Sequence, residues 1–410
     1  MRRALLILTA NEPAIFSARS ATEGQHDTLR HPPGATLLGW AAGGGRYAQF
    51  SDPFTIFHSG LVRFSNALPL TPMGCVAYPV PQILTERKHG FHGVVETPNK
   101  ERRLDEAAVT VGFPLDERDE QGRKIQREAL RRIFVTNDGV VLTPLTGSRL
   151  RTATHAGRAA EGQLFGYTHL DPRDAPRYAA TIEAELTLPD SDWRKLLDAF
   201  RGQMPRLGRA AGTSYGGAYT CEVREVEAAA RLWPQGTVAA GATRVRVWAL
   251  SDLALLDANG APCFSPTATM LGLPGDGAFD GADSAIGVRR YAPWNGNLRR
   301  RDLERQVIDA GSVFTFTYTR PLAAMEQQRA TVGQFQEAGL GRIMVAPPIL
   351  DGRNGRQPGD PPTFTASAPI VEAVPSPRQP PPQQPAAGSE PVLRWLEAMR
   401  ILDTSRENAA

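Results

Sequence analysis

The 410-residue chain has few cysteines, no long hydrophobic runs, no excess of charge of one sign and no histidine after His169. The three cysteines, Cys75, Cys221 and Cys263, are odd in number and widely spaced. They provide neither a disulfide framework nor a zinc ligand set, and fit buried thiols in a reducing, cytoplasmic setting. No stretch approaches the ~18 apolar residues of a membrane-spanning helix, so no membrane partner is expected. The opening MRRALLILTANEP has an apolar run, Ala4 to Leu8, that stops at Asn11-Glu12-Pro13. That run is shorter than the ~7–15 residues of a signal-peptide core and predicts a buried first strand. Lys and Arg total 46 against 43 Asp and Glu, a net charge of +3. Any affinity for nucleic acid must therefore come from local patches.

What is present is the composition of a folded protein, 41% hydrophobic and 22% charged. The length exceeds the roughly 250–300 residues at which single cores stop growing, so two domains are expected. Residues 1–225 and 240–348 share one order of events: strand, loop and helix, further strands, a second helix, a glycine turn and a closing strand. In the first copy the opening strand is Arg3 to Thr9 and the first helix is Gly34 to Tyr47. The second helix, capped at Asp190 or Ser191, places Trp193, Leu196, Leu197 and Phe200 on one face. Ala218 to Val223 closes the copy, and its middle, about 71–177, is long enough to hold insertions with their own hairpins. In the second copy Thr243 to Leu250 alternates as a strand. A helix is expected over Leu322 to Glu337, ahead of Gly339-Leu340-Gly341 and a strand at Arg342 to Val345. This pattern is α+β, with helices on one face of an antiparallel sheet, the ferredoxin-like or RNA-recognition-motif arrangement. Residues 351–390 hold 10 of the 34 prolines and read as a Pro-rich linker. Residues 391–403 read as an amphipathic C-terminal helix suited to docking on the body or on a partner.

Two stretches carry functional signal. Gly208, Gly212, Gly216 and Gly217 fall within ten residues, around Arg209, Ser214 and Tyr215. Glycines there let the backbone approach a ligand, and free N–H groups beside Arg209 suit phosphate. The order helix, glycines, strand reverses that of nucleotide-binding loops, and the Gly-Lys-Ser/Thr ending is missing, so neither ATP nor NAD nor any other cofactor is expected. The second stretch, 144–170, gathers Arg149, Arg151, His155 and Arg158 just before the run Leu164-Phe165-Gly166-Tyr167. Guanidinium groups beside aromatic rings form the composition of a single-stranded RNA contact, cations meeting phosphates while rings stack on bases. Arg289, Arg290, Tyr291, Trp294 and Arg299 to Arg301 form another basic-aromatic patch, fit for RNA or an acidic neighbour. His89-Gly90-Phe91-His92 has a metal-like spacing but no accompanying cysteine or carboxylate cluster, and no metal site is expected. The signs alternating over Asp116 to Arg132 suggest an exposed, salt-bridged helix rather than a paired-carboxylate active site.

The glycine turn after a helix, together with Arg151-Thr152-Ala153 and Ala159-Ala160-Glu161-Gly162-Gln163-Leu164-Phe165, resembles the RAMP (repeat-associated mysterious protein) subunits of type III CRISPR effector complexes. The likeness is to the tandem-domain subunit of subtype III-D. Phe57 to Pro69, Pro33 to Gly39 and the second turn, Glu337 to Ile343, carry it further, over about residues 1–348. The resemblance implies tandem ferredoxin-like (RRM-like) RAMP domains in a non-catalytic subunit that grips the repeat-derived 5′ tag of CRISPR RNA. Its implied partners are the CRISPR RNA, the large subunit, backbone RAMP subunits and, further along, target RNA. In that picture the Gly208 to Gly217 turn holds the RNA backbone, Arg209 neutralises a phosphate, and the Arg149 to Arg158 segment acts as a hairpin that orders the strand. The first turn has Ala210-Ala211 and Thr213-Ser214-Tyr215 where the family is commonly more basic, and the second turn is short. The second domain is therefore expected to serve protein contacts more than RNA.

The resemblance also implies an alternative, a metal-independent endoribonuclease that processes CRISPR RNA through His26 or His31 beside Arg30. For target cleavage Asp27 and Asp52 are the formal acidic candidates, and nothing around them selects either. A general single-strand RNA-binding module without a CRISPR context is the third reading.

Overall fold

The computed structural model describes residues 1–18, 25–88, 93–98, 100–114, 117–155, 158–209, 216–227, 233–296, 298–351 and 359–373, without the side chains of 150–165. Residues 1–373 form one compact unit. The expected helix over 391–403 and most of the linker lie outside the described residues.

The N-terminal half contributes β1 (Arg2–Ala10), β2 (Gln25–His26), α1 (Gly34–Ala42), α2 (Pro53–His58) and β3 (Val62–Phe64). A long hairpin follows, β4 (Thr146–His155) and β5 (Arg158–Leu170), then β6 (Arg177–Ala184), α3 (Asp190–Asp198) and β7 (Tyr219–Val226). The first sheet has the order β7-β1-β6-β3, every pair antiparallel. The apolar run of β1 does not alternate because both of its faces are covered. Ala4, Leu6 and Leu8 meet Leu37 of α1 and Trp193, Leu196 and Leu197 of α3. Leu5 and Ile7 face the opposite way, toward Tyr78, Trp248 and Val313. α1 begins after Pro33, which has no side-chain cap of its own, and the missing cap comes from tertiary structure: Gly34 donates its N–H to Asn66 Oδ1 at 2.9 Å. Helix α3 starts at Asp190 with Asp190 and Asp192 in its first turn, where carboxylates suit the positive end of the helix.

The C-terminal half contributes β8 (Arg244–Ala249), β9 (Ala278–Phe279), β10 (Val288–Tyr291), β11 (Trp294–Asn295), β12 (Arg300–Arg301), β13 (Arg305–Ile308), β14 (Val313–Thr317) and β15 (Ile343–Val345). The second sheet has the order β9-β14-β8-β15. With strands counted along each copy, both sheets read 4-1-3-2. The helix expected over Leu322 to Glu337 is not there. That stretch holds a two-residue strand at Met325–Glu326 and a 3₁₀ turn at Gln336–Ala338. Gly333 takes a φ of +77° within it, and the buried Gln327 is occupied by other backbone. Its Oε1 accepts from Gly236 N and Val345 N, and its Nε2 donates to Ile343 O. Those bonds tie the segment to β15 as an extended strap, and tertiary contacts override a good helical composition.

The segment between β3 and β4 folds on itself. Leu84–Arg87 pairs with both Arg127–Ala129 and Thr110–Val111 in a small three-stranded sheet, and Val94–Glu96 forms a short hairpin with Arg102–Leu104. The helix expected from the alternating charges is instead a turn in which Arg118 pairs with Lys124 across Gly122, φ +76°. Glu117 accepts from Arg127 Nε at 2.6 Å and from Arg87 at 3.0 Å. The charges are paired as expected, across strands rather than along a helix. Residues 359–373 lie along this region. Phe364 packs over Gly139, Ser367 O accepts from Cys75 Sγ, and Ile370 N–H donates to Gly74 O.

Candidate nucleic-acid interface

Tyr167 on β5 lies beside His26 because β2 pairs in parallel with β5, Tyr167 opposite His26. Their rings stack, centroids 5.0 Å apart and planes within 9°. Arg209 closes the group: its Nη1 donates to His26 Nδ1 at 3.4 Å and its Cζ lies 5.7 Å from the Tyr167 ring centre. These three residues come from separate parts of the chain. Burial pushes the His26 pKa down, and the charges of Arg209 and Arg301 push it the same way. The imidazole is thus neutral at physiological pH, an acceptor for Arg209 and an apolar partner for Tyr167.

The backbone before Arg209 explains its position. Gly208 has a φ of +111°, and a Cβ on it would lie 2.8 Å from Ile15 O. Arg209 N–H donates to that same carbonyl at 2.8 Å. At the other end of the turn a Cβ on Gly217 would lie 2.7 Å from the Ala14 Cβ, and Gly216 bridges to Ala14. The close approach that these two glycines permit is therefore to the chain's own segment 12–16, which bridges onward to Leu170 at the end of β5. The turn and the hairpin share one strut. Gly212, Ser214 and Tyr215 lie outside the described residues.

The 144–170 stretch is a two-stranded hairpin running from Thr146 to Leu170. Arg149 stands directly opposite Tyr167, on the same face, and is exposed. Arg151 is in register with Phe165 and His155 with Arg158, after a shift in pairing between Thr152 and Thr154. The side chains of Arg151, His155 and Arg158 lie outside the described residues. His169 packs against Gly147, where a Cβ would lie 2.6 Å from its ring. Burial, then Arg149, lowers its pKa, against the opposing charge of Asp171.

Arg301 brings the second basic-aromatic patch to the same side. On it Trp294 and Arg300 are exposed and form the hairpin β11–β12. Arg289 has another task. It is largely buried, pairs with Asp252 and donates to Ala18 O at 2.9 Å, holding the Ala18 bend to the second half.

Both histidines of the alternative reading are buried, His26 at 6% and His31 at 9% exposure. His31 is buried, edge-on to Phe134 at 5.8 Å, and burial drives its pKa down to about 4, Asp252 opposing and Arg289 assisting. Asp52 caps α2, its Oδ1 accepting from Thr55 N–H at 3.1 Å, and those bonds hold its carboxyl below the usual range. Asp27 sits 3.5 Å from Arg132. His89 and His92 lie outside the described residues, and among the described residues no cluster of His, Cys, Asp or Glu could hold a metal ion. No helix among them is long and apolar enough to cross a membrane.

No family model and no curated protein matches the sequence. Solved structures similar to this chain include a subunit of the Type III-B Cmr-beta complex bound to cognate target RNA and AMPPnP. It is 13% identical over 76% of this chain and 86% of that one, with a TM-score of 0.39. A CRISPR associated protein Cas6 is 8% identical over 83% of this chain and 98% of its own, TM-score 0.31. The crystal structure of Cmr4 is 11% identical over 55% of this chain and 100% of its own, TM-score 0.26.

Proposed function

We propose that this chain is a non-catalytic, cytoplasmic RNA-binding and assembly subunit of a type III-D-like CRISPR effector complex. It would be built on tandem ferredoxin-like RAMP domains and grip the repeat-derived 5′ tag of CRISPR RNA. The observation that carries the RNA reading is the convergence of Arg209, His26 and Tyr167 beside Arg149 on the hairpin. Two cations flank a stacked aromatic pair, the equipment for holding a phosphate on either side of an unpaired base. The motifs at 151–166 and 208–217 support the RAMP assignment, and the matching 4-1-3-2 strand orders support the tandem arrangement. In this reading the backbone RAMP subunits and the large subunit are the protein partners.

Co-expression with the genomic neighbours, purification and sequencing of the retained RNA test it. Short RNAs that share one repeat-derived 5′ end are expected. RNA without a common end would remove the CRISPR assignment and leave a general RNA-binding module.

One observation favours a second reading, an endoribonuclease. His26 is a neutral imidazole beside a guanidinium, a pairing that could deprotonate a 2′-hydroxyl and stabilise charge on phosphorus. Both histidines are buried, and His26 is the one that stands beside an exposed guanidinium, so H26A is the discriminating variant. Under the binding reading His26→Ala leaves the length of the retained RNA unchanged; under the second, unprocessed precursor accumulates.

A further inference from the structure

The described tryptophans divide into two kinds. Trp40, Trp193, Trp233 and Trp248 each donate from Nε1, to Ala199 O, Glu225 Oε2, Thr181 Oγ1 and Pro79 O respectively. Trp294 is 66% exposed, and among the described residues its ring has no aromatic or cation–π contact and its N–H no acceptor. Packing does not account for an indole so placed. It begins β11, near the tip of the 288–308 hairpin and directly opposite Arg301 of β12, so ring and guanidinium leave the hairpin on one face. Arg299 and Arg300 stand at the same tip, exposed, and neither has an ion-pair partner among the described residues. The base of the hairpin, β10 paired with β13, is fastened beside His26. Arg289 donates to Ala18 O at 2.9 Å, and Ala18 N–H donates to Asp27 O at 3.1 Å. The charge of Arg301 accordingly acts on His26.

We propose that Trp294 is a base-stacking platform for single-stranded RNA, taking a nucleobase separate from the one held at Tyr167 and His26. This rests on the RNA-binding reading and adds to it a contact from the second copy. The two hairpins carry the same pair: Tyr167 stands directly opposite Arg149, and Trp294 directly opposite Arg301. A nucleotide presents one flat base and one phosphate, and an aromatic ring with an arginine at its side meets both. An acidic protein segment would use the arginines and leave the ring without a task. Arg289 and Arg290 already face Asp252 and Glu304 and take no part. Stacking on an indole accepts any base, so this contact holds the strand in place without reading its sequence.

The test is fluorescence anisotropy of a labelled oligoadenylate of about 16 nucleotides titrated with the full chain and with Trp294→Phe, Trp294→Leu and Arg209→Ala. Trp294→Leu keeps an apolar side chain without a ring. It is expected to weaken binding roughly tenfold and to leave the salt dependence of log K unchanged, because no charge is lost. Trp294→Phe keeps a ring and should recover most of the affinity. An abasic strand of the same length, which has the phosphates and no bases, should bind the wild type and Trp294→Leu alike. Full affinity for oligoadenylate in Trp294→Leu overturns the proposal, as do equal losses from the two Trp294 changes. If Arg209→Ala alone weakens binding, the RNA-binding reading stands and the stacking platform falls. A wild type that binds no oligoadenylate removes both. Loss of a co-purifying subunit from Trp294→Leu, with RNA affinity intact, reassigns the ring to a protein contact and overturns the proposal as well.

Discussion

Arg209 and His31 show how one cation and one imidazole acquire opposite duties from their surroundings. Arg209 is exposed at the end of a pinned turn, with its hydrogen bond to His26 at the long end of the range. Its loss should cost contacts to RNA without costing the fold. Arg209→Ala is expected to weaken single-stranded RNA binding by roughly tenfold and to lower the salt dependence of log K by about 0.7. Titrations at three salt concentrations check this, and an unchanged slope would remove Arg209 from the phosphate path. His31 is enclosed and its pKa lies at about 4. A histidine depressed in the folded state binds its proton first in the unfolded chain, so its contribution is present above the ordinary value near 6.5 and is lost as the pH falls toward 4. About 3 kcal/mol of stability should disappear across that interval. Urea midpoints at pH 7 and pH 4.5 for the wild type and His31→Asn measure it; the variant should show a distinctly smaller fall.

The two glycine turns have the same place in their copies and different neighbours. The first is anchored at Gly208 and Gly217 on segment 12–16 and presents Arg209 outward. The second is enclosed: Gly339 has a φ of +91°, and a Cβ there would lie 2.8 Å from Asn66 Oδ1 and 2.9 Å from Phe64 O. Asn66 is also the residue that caps α1, so the second turn locks onto the first helix of the other copy. Gly339→Ala is expected to destabilise the protein by roughly 1–3 kcal/mol through strain at positive φ and overlap with Asn66. Gly45→Ala, at φ +77° with open space around it, carries the backbone strain without the overlap and should cost less. Equal losses in chemical denaturation would show that the Asn66 contact is dispensable.

Between the two sheets lies a core that neither could form alone. Leu5, Ile7 and Ala179 from the first sheet meet Trp248, Val313 and Met344 from the second, with Tyr78 and Phe134 from the insertion and Val371 from the 359–373 segment. Trp248 donates from Nε1 to Pro79 O at 3.2 Å, and Arg246, fully buried, pairs with Asp283 at 2.7 Å. Apolar burial shared this widely couples the parts, so residues 1–373 should unfold in a single cooperative step. Calorimetry that gave two separated transitions would show that each sheet keeps an independent core.

Much of the architecture was legible from pattern alone. The apolar run of β1, the alternation in Thr243 to Leu250 and the 3.6-residue spacing of Trp193, Leu196, Leu197 and Phe200 depend on neighbours within one element. Chain-local physics therefore settles those elements. The expected helix at 322–337 failed because Gln327 found backbone partners 91 and 18 residues away, which no local propensity contains. The charged run at 117–127 kept its pairs but changed its geometry for a similar reason, since Arg87 lies 30 residues from Glu117. The basic loop and the glycine turn could be picked out by composition. That His26 would stand between them could not, because Arg209 is 183 residues distant and the contact exists only once β2 pairs with β5. Hydrophobic periodicity dictates which segments become strands and helices, and the long-range packing of those segments decides which side chains meet.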